Sequence, residues 1–123
     1  MDEILTGRSP LYLQLAEIFR MQVASGEWMT GSRIGSVREL ALEYRVNPNT
    51  IQRSLAELER EKLLITERTS GRRITDDRDT IRKLRGDLAE QALDDFAERM
   101  QRIGFMQNEV LKMTADYLRR ETV

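Results

Sequence analysis

The sequence predicts a mainly α-helical fold with one small β-hairpin, and three observations predict it. Apolar residues recur at spacings of three and four in several stretches that open on polar caps, the pattern of amphipathic helices. Two short runs, Leu63-Leu64-Ile65-Thr66 and Arg72-Arg73-Ile74-Thr75, flank the turn Thr69-Ser70-Gly71 and read as paired strands. Residues 36–60 read as two helices with a tight corner between them, the second facing outward with polar and basic side chains.

Ser9-Pro10 predicts the start of the first helix, with a side-chain cap and then Pro where a missing N–H costs nothing. Leu11, Leu15, Ile18, Phe19, Gln22 and Val23 follow at helical spacing, and Gly26 stops the helix. Trp28 is expected to pack back on this domain. A turn through Gly31 leads to Arg33-Ile34, a candidate for a very short strand. Ser36-Val37-Arg38-Glu39 has the form of a capping box. The helix it starts runs to about Tyr44 with Leu40 and Ala41 inward, and Val46 marks the corner. Asn47-Pro48 opens the next helix, whose buried stripe is Ile51, Leu55 and Leu58.

At about 100° per residue, Asn49, Arg53, Ala56 and Arg60 fall opposite Ile51, flanked by Thr50 and Gln52. Any soluble helix has a polar outer face. Near the start of this one, however, Asn47, Asn49, Thr50, Gln52 and Arg53 include one charge among five polar residues. Base-edge readers are often amides, hydroxyls and Arg, whereas solvating faces lean on Glu and Lys. Helix-turn-helix followed by a hairpin gives a winged helix-turn-helix. The tip of the wing would carry Arg68, Arg72 and Arg73 beside Gly71, suited to phosphates or a minor groove.

Asp76-Asp77-Arg78-Asp79 forms a polar boundary, so residues 1–75 are read as the winged-helix domain and 76–123 as a helical dimerisation region. A long amphipathic helix follows with Ile81, Leu84, Leu88, Ala92, Phe96, Met100 and Ile103, ended by Gly104. A last helix carries Val110, Met113 or Thr114, Tyr117 and Leu118. Two helices in fewer than fifty residues cannot bury both apolar stripes alone. Pairing with a second copy is the expected solution, through Leu84, Leu88, Phe96, Met100, Ile103, Phe105, Val110 and Tyr117, because a site read by one helix binds weakly and two-fold symmetry doubles it.

Composition narrows the functional classes. Hydrophobic residues make up 40% of the 123, enough for a packed core. With no Cys and no His, disulfides, thiol nucleophiles and the commonest zinc ligands are absent, and no metal or other cofactor is expected. No apolar run approaches the roughly 18 residues of a membrane span. Residues 1–10 lack the apolar core of a signal peptide, so a cytoplasmic location is expected. The net charge of -1 argues against a nucleic-acid partner on the simplest criterion, but residues 1–75 hold 11 Lys+Arg against 10 Asp+Glu, and 76–123 hold 9 against 11.

Taken with Pro10-Leu11-Tyr12-Leu13-Gln14, Ser25-Gly26-Glu27, the run from Gly31 to Ala41, Val46-Asn47-Pro48-Asn49-Thr50, Leu55, Glu57-Leu58-Glu59 and Gly71, the chain resembles the GntR family of bacterial winged-helix transcription regulators. The short tail, with Ile81-Arg82-Lys83-Leu84, Met100, Ile103-Gly104-Phe105 and Glu109-Val110, is similar to the YtrA-like branch. The resemblance implies a dimeric repressor of double-stranded DNA, with two tail helices for dimerisation and a tendency to control operons of ABC transporters. It implies that Arg38 contacts a phosphate or base, that Asn47, Asn49 and Thr50 enter the major groove, and that Ser70 and Gly71 approach the minor groove. Several positions depart from the family pattern: Pro48 and Gln52 stand where Arg is common, Gly35 for Pro, Thr69 for Gly, Arg73 for an aromatic residue and Met106 for a Ser cap. Gln52 would suit adenine rather than guanine.

Three alternatives are weighed beside this reading. A winged helix that docks a protein partner would fit the acidic balance, but a docking face would expose larger apolar residues than this amide-rich helix does. An enzyme has little to work with: Asp94 and Asp95 point in different directions on a helix, Asp76, Asp77 and Asp79 solvate a linker, and no catalytic residue is assigned. A small-molecule effector is left open. Leu88, Phe96, Met100, Phe105 and Met113 could line a cavity for one between tail and winged helix, or simply form the dimer core.

Overall fold

The computed structural model describes residues 9–121. The signal-peptide expectation rests on residues 1–10, which lie outside the described residues save for Ser9 and Pro10. The elements run α1 (Leu11–Ser25), α2 (Val37–Tyr44), α3 (Pro48–Arg60), β1 (Leu64–Glu67), β2 (Gly71–Ile74), α4 (Arg78–Ile103) and α5 (Gln107–Glu121). The chain divides into two compact units, Met1–Arg85 and Gly86–Val123.

In the first unit α1 packs on α3, and α3 packs in turn against α2 and β1. The contact is built from Phe19 and Val23 of α1, Ile51, Leu55 and Leu58 of α3, and Ile74 of β2, all essentially without exposure. Burying each such side chain contributes about 1.5–3 kcal/mol. Phe19 also stacks on Trp28 with centroids 5.0 Å apart and meets the Tyr44 ring edge-on at 5.4 Å. Gln22 Nε2 donates to the Tyr44 hydroxyl at 2.9 Å, which explains a polar residue inside the α1 stripe. Leu11 and Ile18, expected to face inward, are exposed, and Leu15 and Ala16 are buried in the stripe beside Phe19 and Val23.

The helix boundaries follow local chemistry, with one correction. Pro10 occupies the N-cap position of α1 and no side chain caps it, so Ser9 does not act as the cap. The Ser9 carbonyl instead accepts from Gln14 Nε2 at 2.7 Å. Gly26 closes α1 at φ 85°. The capping box of α2 is formed: Glu39 N–H donates to Ser36 Oγ at 3.1 Å, and Ser36 N–H donates to Glu39 Oε1 at 2.8 Å. Asn47 Oδ1 accepts from Asn49 N–H at 2.7 Å at the start of α3. Asp77 caps α4, accepting from Asp79 N–H at 3.1 Å and from the Thr80 hydroxyl at 3.0 Å. The acids of the polar boundary thus hold a helix start rather than merely solvating a linker.

The two strands are antiparallel, with Leu64 opposite Ile74, Ile65 opposite Arg73, Thr66 opposite Arg72 and Glu67 opposite Gly71. Gly71, placed in the turn by the sequence reading, is the first residue of β2, and its φ of 81° explains a glycine there. The expected strand at Arg33-Ile34 is a single bridge from Arg33 to Arg73, reinforced by Ile74 N–H donating to the Ser32 carbonyl at 2.8 Å. Arg20 clamps this unit from outside, donating through Nε to Glu61 at 2.8 Å and through Nη2 to the second Glu61 oxygen. Hydrogen bonding to Glu61 raises the Arg20 pKa above its ordinary value.

The second unit holds the rest of α4 and all of α5. Gly104 ends α4 at φ 108°. Met106 has no hydroxyl to cap α5, but its N–H donates to Glu109 Oε1 at 2.9 Å, which supplies half of a capping box. No residue described in this unit is buried. Leu84, an expected interface residue, lies in the first unit and is only 8% exposed, so a second copy has little of it to cover. Among the described residues no helix is long and apolar enough to cross a membrane.

Phe19→Ala removes the ring shared by the core, Trp28 and Tyr44, and should cost about 3–5 kcal/mol in urea unfolding followed by Trp28 fluorescence. Acid should weaken the α2 cap. The Ser36 N–H and hydroxyl lower the Glu39 pKa below its ordinary 4.5, so this contribution is complete above 4.5 and is lost as pH falls through the lowered native value. Glu39→Gln should therefore flatten part of the acid limb of a stability-against-pH curve.

Candidate nucleic-acid interface

The reading surface is built by α2, the corner and α3. Arg45 makes the corner possible by adopting the left-handed conformation at φ 57°, with its N–H directed to the Ala41 carbonyl. With Ile51, Ser54, Leu55 and Leu58 buried, the opposite side of α3 is obliged to face outward. Asn49, Gln52, Arg53, Ala56 and Arg60 are exposed there and Thr50 is half-buried. The buried Ser54, absent from the expected stripe, satisfies its hydroxyl by donating to the Ile51 carbonyl at 2.8 Å. The first turn of α3 holds no acidic residue, so nothing there opposes the positive end of the helix dipole. Asn47 is exposed as well, but its Oδ1 is committed to the cap and only its amide donors are free.

The arginines divide into two groups. Arg20 pairs with Glu61, Arg60 with Glu57, Arg82 with Asp79 and Arg102 with Glu98. Arg38, Arg45 and Arg68 are exposed and have no carboxylate partner among the described residues. These three belong to the start of α2, the corner and the hairpin turn. Arg53 rests on the Tyr12 ring at 3.9 Å from its centroid, which orients the guanidinium while leaving its edge donors usable. Arg45 and the Tyr12 support escaped the sequence reading. An Arg standing between two predicted helices, and a Tyr in the motif that opens α1, were the available signals.

The wing arginines differ in what they are free to do. Arg72 and Arg73 lie within β2, and the turn itself offers Arg68. Arg73 Nε is 3.3 Å from Glu67 and its Nη1 is 3.9 Å from Asp76. The Ser70 hydroxyl donates to Glu67 Oε1 at 2.9 Å, and this bond, with Arg73, holds the Glu67 carboxyl below its ordinary pKa. Arg72 turns to α3 instead, donating through Nη2 to Gln52 Oε1 at 2.8 Å, with Nε 3.6 Å from Glu59. Ser70 is half-buried and Gly71 exposed at the end of the hairpin, with open space about the position a Cβ would take.

A helix-turn-helix with a polar, acid-free helix start, ringed by unpaired arginines and followed by a hairpin, defines a double-stranded DNA reader. Comparisons with known proteins agree. The profile described as "Bacterial regulatory proteins, gntR family" matches residues 11–74. YhcF of Bacillus subtilis, described as an uncharacterized HTH-type transcriptional regulator, is 33% identical over 112 residues, 91% of this chain and 93% of that protein. The HTH-type transcriptional repressor YtrA of the same organism is 35% identical over 72 residues, 58% of this chain and 55% of YtrA. A GntR family transcriptional regulator from Listeria monocytogenes superposes with a TM-score of 0.82 at 32% identity, covering 88% of this chain and 95% of that one. This chain belongs to the GntR family, on its YtrA-like side, and is a DNA-binding transcriptional regulator rather than an enzyme.

Replacing Arg38, Arg45 or Arg68 singly by Ala should weaken binding to all DNA sequences alike and reduce the slope of log affinity against log salt by about one per residue. Arg60→Ala, which removes an arginine already paired with Glu57, should leave that slope unchanged in the same titration.

Proposed function

We propose that this regulator is a cytoplasmic homodimeric repressor that binds an inverted-repeat operator, residues 1–75 reading DNA and the helices of residues 76–123 joining two copies. The observation that carries the dimer is the second unit. Two helices bearing Leu93, Phe96, Ile103, Leu111, Met113, Tyr117 and Leu118 leave all of them exposed, with Ile103 at 67%. Monomeric proteins seldom leave so much contiguous apolar surface uncovered. Leu88, Met100 and Val110, also expected at the interface, are half-buried on the same two helices, and Phe105, half-buried too, lies in the connection between them.

Each protomer would place α3 in a major groove. Asn49, Thr50 and Gln52 are the base readers, Asn47 helps through its free amide donors, and Arg38, Arg45, Arg53 and Arg68 hold phosphates. Ser70 and Gly71 bring the hairpin to the minor groove. Two-fold pairing sets half-sites about one helical turn apart. Repression is supported by the likeness to YtrA, itself described as a repressor. Promoters of ABC-transporter operons are the first targets to try, on the family tendency alone.

An effector has less support. Phe96, Met100, Met113, Thr114, Tyr117 and Arg120 line a cleft of ≈ 260 Å³ in the second unit. A second cleft in this unit, lined by Ala97, Gln101, Phe105 and Val110 among others, measures ≈ 850 Å³, within the roughly 300–1,000 Å³ of ligand pockets, but a partner helix would fill either.

Selection of bound sequences from random double-stranded DNA should return an inverted repeat. Sequence-blind, salt-sensitive retention alone would defeat the proposal. In sedimentation the protein should run at twice its 14.4 kDa chain mass, and Phe96→Asp should shift it towards one chain with a concurrent loss of operator affinity.

A further inference from the structure

Four side chains join the hairpin to the reading helix. The Thr66 hydroxyl donates to Glu59 Oε2, Arg72 Nε lies 3.6 Å from Glu59 Oε1, and Arg72 Nη2 donates to Gln52 Oε1 at 2.8 Å. Thr66 and Arg72 are opposite one another in the strand register, so both project to the same side of the hairpin. Gln52 and Glu59 are seven residues apart on α3, two turns along one face. Arg72 spans them. Its side chain is 22% exposed and its Nε atom is buried without a hydrogen-bond partner, which is not the posture of an arginine held out to a phosphate.

The chemistry of this contact fixes the orientation of Gln52. A guanidinium has five donors and no acceptor, so only the carbonyl oxygen of the amide can face it. The acceptor end of Gln52 is therefore drawn to the wing, and the end left to turn into the groove is the NH₂ group, a pair of donors. Adenine is read bidentately by a glutamine that both accepts from N6 and donates to N7. Guanine presents two acceptors, N7 and O6, to the major groove.

We infer that Arg72 is a positioning residue, not a phosphate contact, and that by holding Gln52 Oε1 it makes Gln52 a donor that selects guanine over adenine at one base pair of each half-site. The inference rests on the reading of Gln52 as a base contact, and it reverses the adenine preference that the isolated residue type suggests. It also links the wing to base choice, since a hairpin substitution would change preference in the major groove.

The test uses the full-length protein and a panel of duplexes varied one base pair at a time around the selected site. Gln52→Ala identifies the base pair concerned by relaxing discrimination there. If it relaxes none, Gln52 does not read a base and the underlying assignment fails. At that pair the unaltered protein should favour guanine over adenine by about fivefold or more. Arg72→Met should reduce this ratio or reverse it, with other positions unchanged. A preference for adenine in the unaltered protein would overturn the inference. So would Arg72→Met protein that keeps the guanine preference but binds every duplex more weakly with a shallower salt dependence. Should Arg72→Met fail to fold, Gln52→Glu decides. It keeps the Arg72 partner but offers acceptors to the groove, so preference should move to cytosine, and unchanged guanine preference would sink the idea.

Discussion

Helix α3 is asked to do two things at once, and the remaining elements are arranged around that demand. Its inner face, Ile51, Ser54, Leu55 and Leu58, has no exposure, and α1, α2 and β1 are all packed against it. A helix so fully engaged on one side cannot roll, so the direction in which Asn49, Thr50 and Gln52 point is set by the core. Close-packed interiors transmit strain rather than absorb it, and loss of Phe19 or Leu55 would therefore disturb the reader as well as stability. The Arg20–Glu61 clamp at the far end of α3 and the Asn47–Pro48 cap at its start fix the helix along its length.

A protein with a net charge of -1 can bind a polyanion because charge here is partitioned rather than accumulated. Arg20 and Arg60 are neutralised by Glu61 and Glu57, while Arg38, Arg45 and Arg68 are left without a carboxylate among the described residues. The acids of α3 sit in its later turns, where Glu57 and Glu59 are occupied by Arg60 and by Thr66 with Arg72. Within about 8 Å, the reach of electrostatics at physiological salt, an approaching phosphate meets local cations rather than the molecular total.

The second unit is the complementary case, two helices whose apolar side chains stay exposed. Its helices are well capped and ended, by Gly104 and by the Glu109 carboxylate on Met106 N–H, yet no described residue in it is buried. Local signals suffice to form such helices. Burial needs a further surface.

The sequence by itself determined which segments are helices, most of their limits and most of the inner face of α3. The capping box of Ser36 and Glu39, the Asn47–Pro48 start, the stops at Gly26 and Gly104 and the stripe through Ile51, Leu55 and Leu58 depend on residues within a turn or two of one another. Such contacts are fixed by backbone periodicity and by the needs of unpaired N–H groups. The candidate bases of recognition, Asn49, Thr50 and Gln52, were legible for the same reason. What only the tertiary structure decided was the fate of long side chains. Nothing local says that Arg72 crosses 20 positions of sequence to Gln52, that Arg73 spends its charge on Glu67 and Asp76, that Arg53 lies on Tyr12, or that Leu84 is covered within its own chain. An arginine side chain is long enough to reach any of several partners. Which partner it meets depends on how separately formed elements are brought together by the core, and that information is spread over the whole packed unit rather than carried by the neighbours of any one residue.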